Sequence, residues 1–150
     1  MTRKLARTPP TLNDGLYIAL PPASKGRGVL VIHAWWGLND FFKSFCDRLA
    51  AEGFVAFAPD LFEGHIATTI AQAKRLRARP KREPTYKTLI HAIDELKNHP
   101  ATQGQNIGVI GFSMGGHWAH WLSQQPELPI GATVTFYGVR DGDYSRSRAA

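Results

Sequence analysis

The chain has 150 residues, 43 % of them hydrophobic, a formal net charge of +6 and one cysteine. A domain of that size buries roughly 68–70 % of its unfolded surface, which excludes a largely disordered chain; the lone Cys46 excludes an internal disulfide and a thiolate cluster for zinc. No apolar run approaches the ~18–20 residues of a membrane span.

The start, Met1-Thr2-Arg3-Lys4-Leu5-Ala6-Arg7-Thr8-Pro9-Pro10, is basic but lacks the apolar segment of a secretory signal, so a cytoplasmic location is expected. A mitochondrial transit sequence is the competing reading, and the shortness and prolines of the stretch count against it. Residues 1–14 are expected to form a flexible N-terminal segment, with one domain over residues 15–150.

The run 15–20 predicts a strand stopped by Pro21 and Pro22, and the continuous apolar run 28–33 predicts a strand covered on both faces. Asn39 is placed to cap a helix carrying Phe41, Phe42, Phe45, Leu49 and Ala50, closed by Gly53. Residues 54–58 form a third strand. Helices are expected over residues 66–79 and 86–98, the second with Leu89, Ile90, Ile93 and Leu96 on one stripe. A strand over 106–110, a helix over 114–125 ended by Pro126, and a strand over 132–138 follow. Strands alternating with helices imply a parallel sheet with helices on both faces, and the strand over 132–136 is open to being an uncovered edge.

Excess positive charge gathers at the amino end, near Arg146 and Arg148, and in the run 74–82, which holds Arg75, Arg77, Arg79 and Arg82. Such a run either engages an anionic partner or is a solvated helix end whose cations suit a carboxyl terminus. The second reading is preferred, so no nucleic acid partner is expected; no aromatic residues interleave the run to stack bases.

Function is written most plainly in Gly111-Phe112-Ser113-Met114-Gly115, which follows an apolar strand and opens a helix. That is the setting of a nucleophile elbow, where the pinched backbone admits only glycine two residues on either side of the serine. By composition alone roughly 5 % of chains this long would contain the pattern. Its position between strand and helix makes it informative.

Three segments in order, Val31-Ile32-His33-Ala34-Trp35-Trp36-Gly37-Leu38-Asn39, the stretch from Leu49 to Leu61 with its Gly-Phe-Val-Ala and Pro-Asp-Leu runs, and Val109 to Gly116, resemble the dienelactone hydrolase family. The resemblance implies an α/β-hydrolase fold: a mostly parallel sheet with helices on both faces, here without the last strands and helices. It implies a hydrolase of carboxylic esters or lactones working through an acyl-enzyme, with a small-molecule substrate and no cofactor or metal. Two departures stand out. Ser113 occupies a position where relatives of the archetype carry cysteine, and Ala34 one where they often carry glutamate.

A serine needs a histidine to take its proton and a carboxylate to orient that histidine, in the chain order serine, acid, histidine. After Ser113 the acids are Glu127, Asp141 and Asp143, while the last histidines are His117 and His120, which precede all three. His117 and His120 ride on the helix launched by the elbow and are poor candidates for the base. The resemblance places the acid and the histidine beyond the segment matching Thr135-Phe136-Tyr137-Gly138, so the chain is expected to be the amino-terminal two-thirds of a larger hydrolase, inactive alone. By the same resemblance the oxyanion hole consists of the backbone N–H groups of Trp35 and Met114. His33 and Trp36 are candidates for the substrate pocket, a structural role for His33 being the stronger reading; His65 is weighed similarly, and His91 and His99 are read as ordinary helix residues. One of the four arginines of the basic run is a candidate clamp for a substrate carboxylate. The alternative function is a non-catalytic α/β-hydrolase-like protein that binds anionic partners through residues 74–82, recognisable by a steeply salt-dependent affinity.

Overall fold

A computed structural model of the protein describes residues 11–13, 15–79, 81–138 and 145; residues 1–10, Pro80, Asp141, Asp143, Arg146 and Arg148 lie outside the described residues. In chain order the elements are β1 (Thr11–Asn13), β2 (Leu16–Ala19), β3 (Gly26–Ile32), α1 (Asp40–Ala51), β4 (Val55–Pro59), α2 (Ile70–Ala78), α3 (Arg82–Asn98), β5 (Thr102–Phe112), α4 (Met114–Ser123) and β6 (Ile130–Phe136). They build one six-stranded sheet in the order β1-β2-β4-β3-β5-β6. The β4-β3-β5-β6 portion is parallel.

One expectation is corrected at the amino end: residues 11–13 pair with β2, so the segment 1–14 is not wholly free. Among the described strands β2 runs against the others, antiparallel to both β1 and β4, and the sheet is mostly parallel. A three-residue strand carries too little periodic signal to be read from sequence. Helix α2 begins at Ile70 rather than at residue 66, because Thr69 and Gln72 form a reciprocal capping box. Helix α3 begins at Arg82, four residues earlier than its apolar stripe suggests. Pro84 falls in its first turn, where a missing N–H leaves nothing unpaired.

Helix α1 starts where Asn39 predicts, its side chain accepting the Phe41 amide at 3.1 Å. Phe42, Cys46 and Ala50 of α1 pack on Val29, Val31, Ala56 and Ala58, which leave the sheet on one face. Leu30, Ile32, Val55 and Phe57 leave on the other and meet Leu89, Ile93 and Leu96 of α3 and Ala119 and Leu122 of α4. This double cover is why β3 and β4 read as continuous apolar runs. Each fully buried aliphatic or Phe side chain contributes ~1.5–3 kcal/mol of transfer free energy. No helix among the described residues is long and apolar enough to cross a membrane.

The Cys46 thiol is fully buried, and desolvation with the nearby Asp47 carboxylate pushes its pKa up to about 12. Thiolate is the reactive form. Folded protein is therefore expected to resist a disulfide-forming thiol reagent at pH 8 and to release one equivalent of thiol only in denaturant, a titration that checks the packing of α1 directly.

Candidate active site

Strand β5 delivers Ser113 to the carboxyl edge of the sheet, where the chain turns at once into α4. The turn is sharp enough to hold Ser113 at φ 51° and ψ −111°, outside the usual regions for a side-chain-bearing residue. Strain of that kind costs about 1–3 kcal/mol and persists only where the surroundings over-determine it. Here they do: the Ser113 N–H donates to the Phe136 carbonyl at 2.9 Å, and the Ser113 carbonyl accepts from the His117 amide at 3.1 Å.

Two glycines make the turn possible. A Cβ on Gly111 would collide with the Gly115 carbonyl, and one on Gly115 would meet the Ile32 and His33 carbonyls at the end of β3. Helix α4 thus sits against the backbone of two strands at contact distance. Gly116 likewise faces the Cα of Gly138, 3.1 Å from where its own Cβ would lie.

Ser113 opens into a cavity of about 450 Å³. Trp35 and Met114 form its wall beside the serine, with Tyr137, His117, Trp118 and Trp121 on further sides. Trp35 lies in the turn closed by the Gly37 N–H donating to the Ala34 carbonyl at 3.2 Å, directly after β3. Met114 is the first residue of α4, so its N–H belongs to the four that have no intrahelical acceptor. Arg77 from α2 and Arg82 from α3 also reach this cavity, and the Arg82 guanidinium lies 5.7 Å from the Trp121 ring centroid. No Asp or Glu is among the described residues that line it.

The remaining sequence candidates disperse. His33 is not a pocket residue: it is fully buried, its Nδ1–H donates to the Ala34 carbonyl at 2.7 Å, and its Nε2 accepts the Leu61 N–H at 3.0 Å. Burial holds its pKa below the ordinary value of 6.5, partly opposed by Ala34 and by Asp60. It ties the loop after β4 to the end of β3, with Phe62 edge-on to its ring at 5.0 Å. Trp36 packs against Trp35 at 5.7 Å between ring centroids, in a cluster with Phe62, Ala67, Ala73 and Leu76, and does not line the Ser113 cavity. His65 bonds the Phe62 carbonyl and lines neighbouring hollows with Arg79. His91 lies on α3, and His99 ends it, accepting the Ala101 amide. His120 pairs with Gln124, and Glu127 is exposed beyond the far end of α4. Sequence reasoning set His117 aside as a helix residue, yet the structure puts its side chain in the same cavity as Ser113; four residues is one helical turn, and that spacing was the available signal.

The family model for "Dienelactone hydrolase family" matches residues 15–148. This chain belongs to the dienelactone hydrolase family. It is 40 % identical over 133 residues to "Protein usf" of Aquifex pyrophilus, covering 82 % of this chain and 55 % of that relative. With a protein of Aquifex aeolicus (strain VF5), named provisionally as a carboxymethylenebutenolidase, it shares 37 % identity over 130 residues, again 82 % of this chain and 55 % of the other. Among solved structures it is similar to the dienelactone hydrolase-like promiscuous phosphotriesterase P91 from metagenomic libraries, with TM-score 0.68 and 27 % identity over 82 % of this chain and 53 % of that one. The chain therefore spans about half the length of the relatives it matches.

Proposed function

We propose that this member of the dienelactone hydrolase family carries the nucleophile and oxyanion hole of a serine hydrolase that cleaves carboxylic esters or lactones through an acyl-enzyme. The observation that carries the reading is Ser113 itself, held at φ 51° on a strand-to-helix turn and facing a cavity walled by Trp35 and Met114.

In this reaction the Ser113 hydroxyl oxygen bonds to the substrate carbonyl carbon as its proton passes to a histidine. The carbonyl oxygen takes the negative charge and accepts hydrogen bonds from the Met114 and Trp35 backbone N–H groups. Collapse expels the alcohol, or the ring oxygen of a lactone, which takes the proton back from the histidine; water then repeats the sequence on the acyl-serine. Losing one oxyanion donor typically costs ~2.7–4 kcal/mol of transition-state stabilisation. The triad acid and histidine implied by the family lie past Gly138, outside the described residues. Arg77 and Arg82 in the cavity support a substrate with an anionic group, which a planar guanidinium grips bidentately. The partner is a small molecule, no cofactor is required, and the cytoplasm is the expected compartment.

A fluorophosphonate probe tests the assignment on a longer form of the protein that includes the triad acid and histidine. Labelling is expected at Ser113 and is expected to vanish in Ser113→Ala; labelling that survives the substitution sinks the reading. The 150-residue chain is expected to hydrolyse p-nitrophenyl acetate no faster than its own Ser113→Ala variant. A clear excess over that variant would show that the described residues already contain the base.

A further inference from the structure

Helix α2 sends its cations in more than one direction. Arg77 reaches the Ser113 cavity, whereas Arg75 and Arg79 border a separate open hollow of about 300 Å³ together with His65, Ile66, Gln72 and Leu76. Arg79 keeps helical angles, φ −74° and ψ −49°, so it stands one turn beyond Arg75 on the same side of the helix. Like charges so placed repel each other. Among the described residues no carboxylate lines this hollow, and neither guanidinium forms an ion pair. Asp60 and Glu63 border an adjoining hollow that Arg79 also reaches, but the Asp60 carboxylate accepts the Phe62 and Gly64 amides, and no ion pair joins either acid to Arg79. The helix macrodipole favours cations in the last turn on every side alike, so it gives no reason for two guanidinium groups to share one hollow. Gln72 adds a donor of fixed orientation. Its Oε1 accepts the Thr68 N–H at 2.8 Å, the Thr68 hydroxyl at 2.9 Å and the Thr69 N–H at 3.2 Å, which leaves the amide NH2 as the end not engaged in the cap.

We propose that this hollow is a binding site for a phosphate monoester, separate from the Ser113 cavity. A flat carboxylate is satisfied by one guanidinium fork. A tetrahedral phosphate presents oxygens in several directions, so it accepts from two forks one helical turn apart and from an amide N–H as well. The carbon portion of the ester lies against Ile66 and Leu76, the apolar residues of the hollow. The same phosphate group is offered by a free phosphorylated metabolite and by a lipid headgroup. Helix α2 buries only Ala73 and Leu76, so a ligand across Arg75 and Arg79 steadies a lightly anchored element. That element also presents Arg77 to the Ser113 cavity. The effect on Arg77 matters to catalysis only under the proposed hydrolase reading, whereas the binding itself does not depend on it.

The test titrates the purified, isotope-labelled 150-residue chain with glycerol 3-phosphate at low ionic strength and follows the amide resonances. A parallel arm floats the chain with phosphatidylcholine vesicles that contain or lack phosphatidic acid, which distinguishes a lipid headgroup from a soluble ester. Saturable shifts confined to residues 65–79 with a dissociation constant of about 1 mM or tighter, or flotation that requires phosphatidic acid, are expected. Arg75→Gln and Arg79→Gln, at exposed positions, are each expected to weaken that binding about tenfold or more. Lys74→Gln removes the same charge from an exposed position that does not line the hollow and is expected to weaken it less than about threefold. Ser113→Ala is expected to bind as well as wild type, which separates this site from the hydrolase reading. Three results would each overturn the proposal: no saturable response to either probe, a loss in Lys74→Gln equal to that in Arg75→Gln, or shifts centred on residues 113–121 that Arg82→Gln abolishes.

Discussion

Gly115→Ala is expected to lower stability by about 3 kcal/mol or more, since the added methyl has no room and the obstacles are backbone rather than movable side-chain tips. The Ile32 and His33 carbonyls stand where the Cβ would go, the latter at 2.6 Å. Relief requires α4 to back away from β3, which pulls Ser113 off its turn and opens the contact of Ala119 and Leu122 with the sheet. For a domain of this length the loss amounts to a melting temperature roughly 10 °C lower. Gly111→Ala is expected to behave alike, its obstacle being the Gly115 carbonyl. Gly108→Ala is the control: it sits on the same strand, its nearest neighbour is Val29 Cγ2 at an ordinary 3.7 Å, and a change within about 1 kcal/mol is expected. Thermal melts of the three variants decide the matter; equal losses at Gly108 and Gly115 would show that the close approach of α4 to β3 is not what the glycines serve.

His33→Ala should cost a comparable amount, about 3 kcal/mol, for a different reason. The change leaves the Leu61 N–H without its acceptor and opens a void between Phe42 and Phe62. His33→Gln is expected to cost less, because its side-chain oxygen can stand near the place of Nε2. The pair also separates by pH. Burial keeps the folded-state pKa of His33 below 6.5, so the unfolded chain takes up a proton at a pH where the folded one refuses it. The contribution is complete above about 6.5 and is lost as pH falls from there toward the folded value, by up to ~1.4 kcal/mol per pH unit. Urea midpoints at pH 7.5, 6.0 and 5.0 should therefore fall more steeply in wild type than in His33→Gln. Parallel curves would mean that His33 does not titrate differently in the two states.

Much of this fold is legible because β3, β4 and the stripes of α1 and α3 obey simple periodicities, and Asn39 announces its cap through an ordinary side-chain preference. What escaped has physical causes. The antiparallel direction of β2 depends on which neighbour it reaches, and no local pattern in Leu16–Ala19 encodes that choice. The start of α2 turned on the Thr69 and Gln72 pair, a four-residue signal hidden inside a longer polar stretch. At the site, the elbow was readable because glycine spacing is a backbone requirement. The burial of His33 was not, since a histidine at a strand end looks the same whether it faces a substrate or ties down a loop. Likewise, only the placement of α2 and α3 separates Arg77 and Arg82, which reach the Ser113 cavity, from Arg75 and Arg79, which do not.

The contacts that seat Gly111 and Gly115 involve main-chain atoms alone. The holder is therefore indifferent to the reagent it presents. Serine and cysteine differ by one atom at the tip, so a Ser113→Cys exchange on this turn calls for no rebuilding of the sheet or of α4. The chemistry can be exchanged like a blade in a fixed handle, with the glycines keeping the handle's shape.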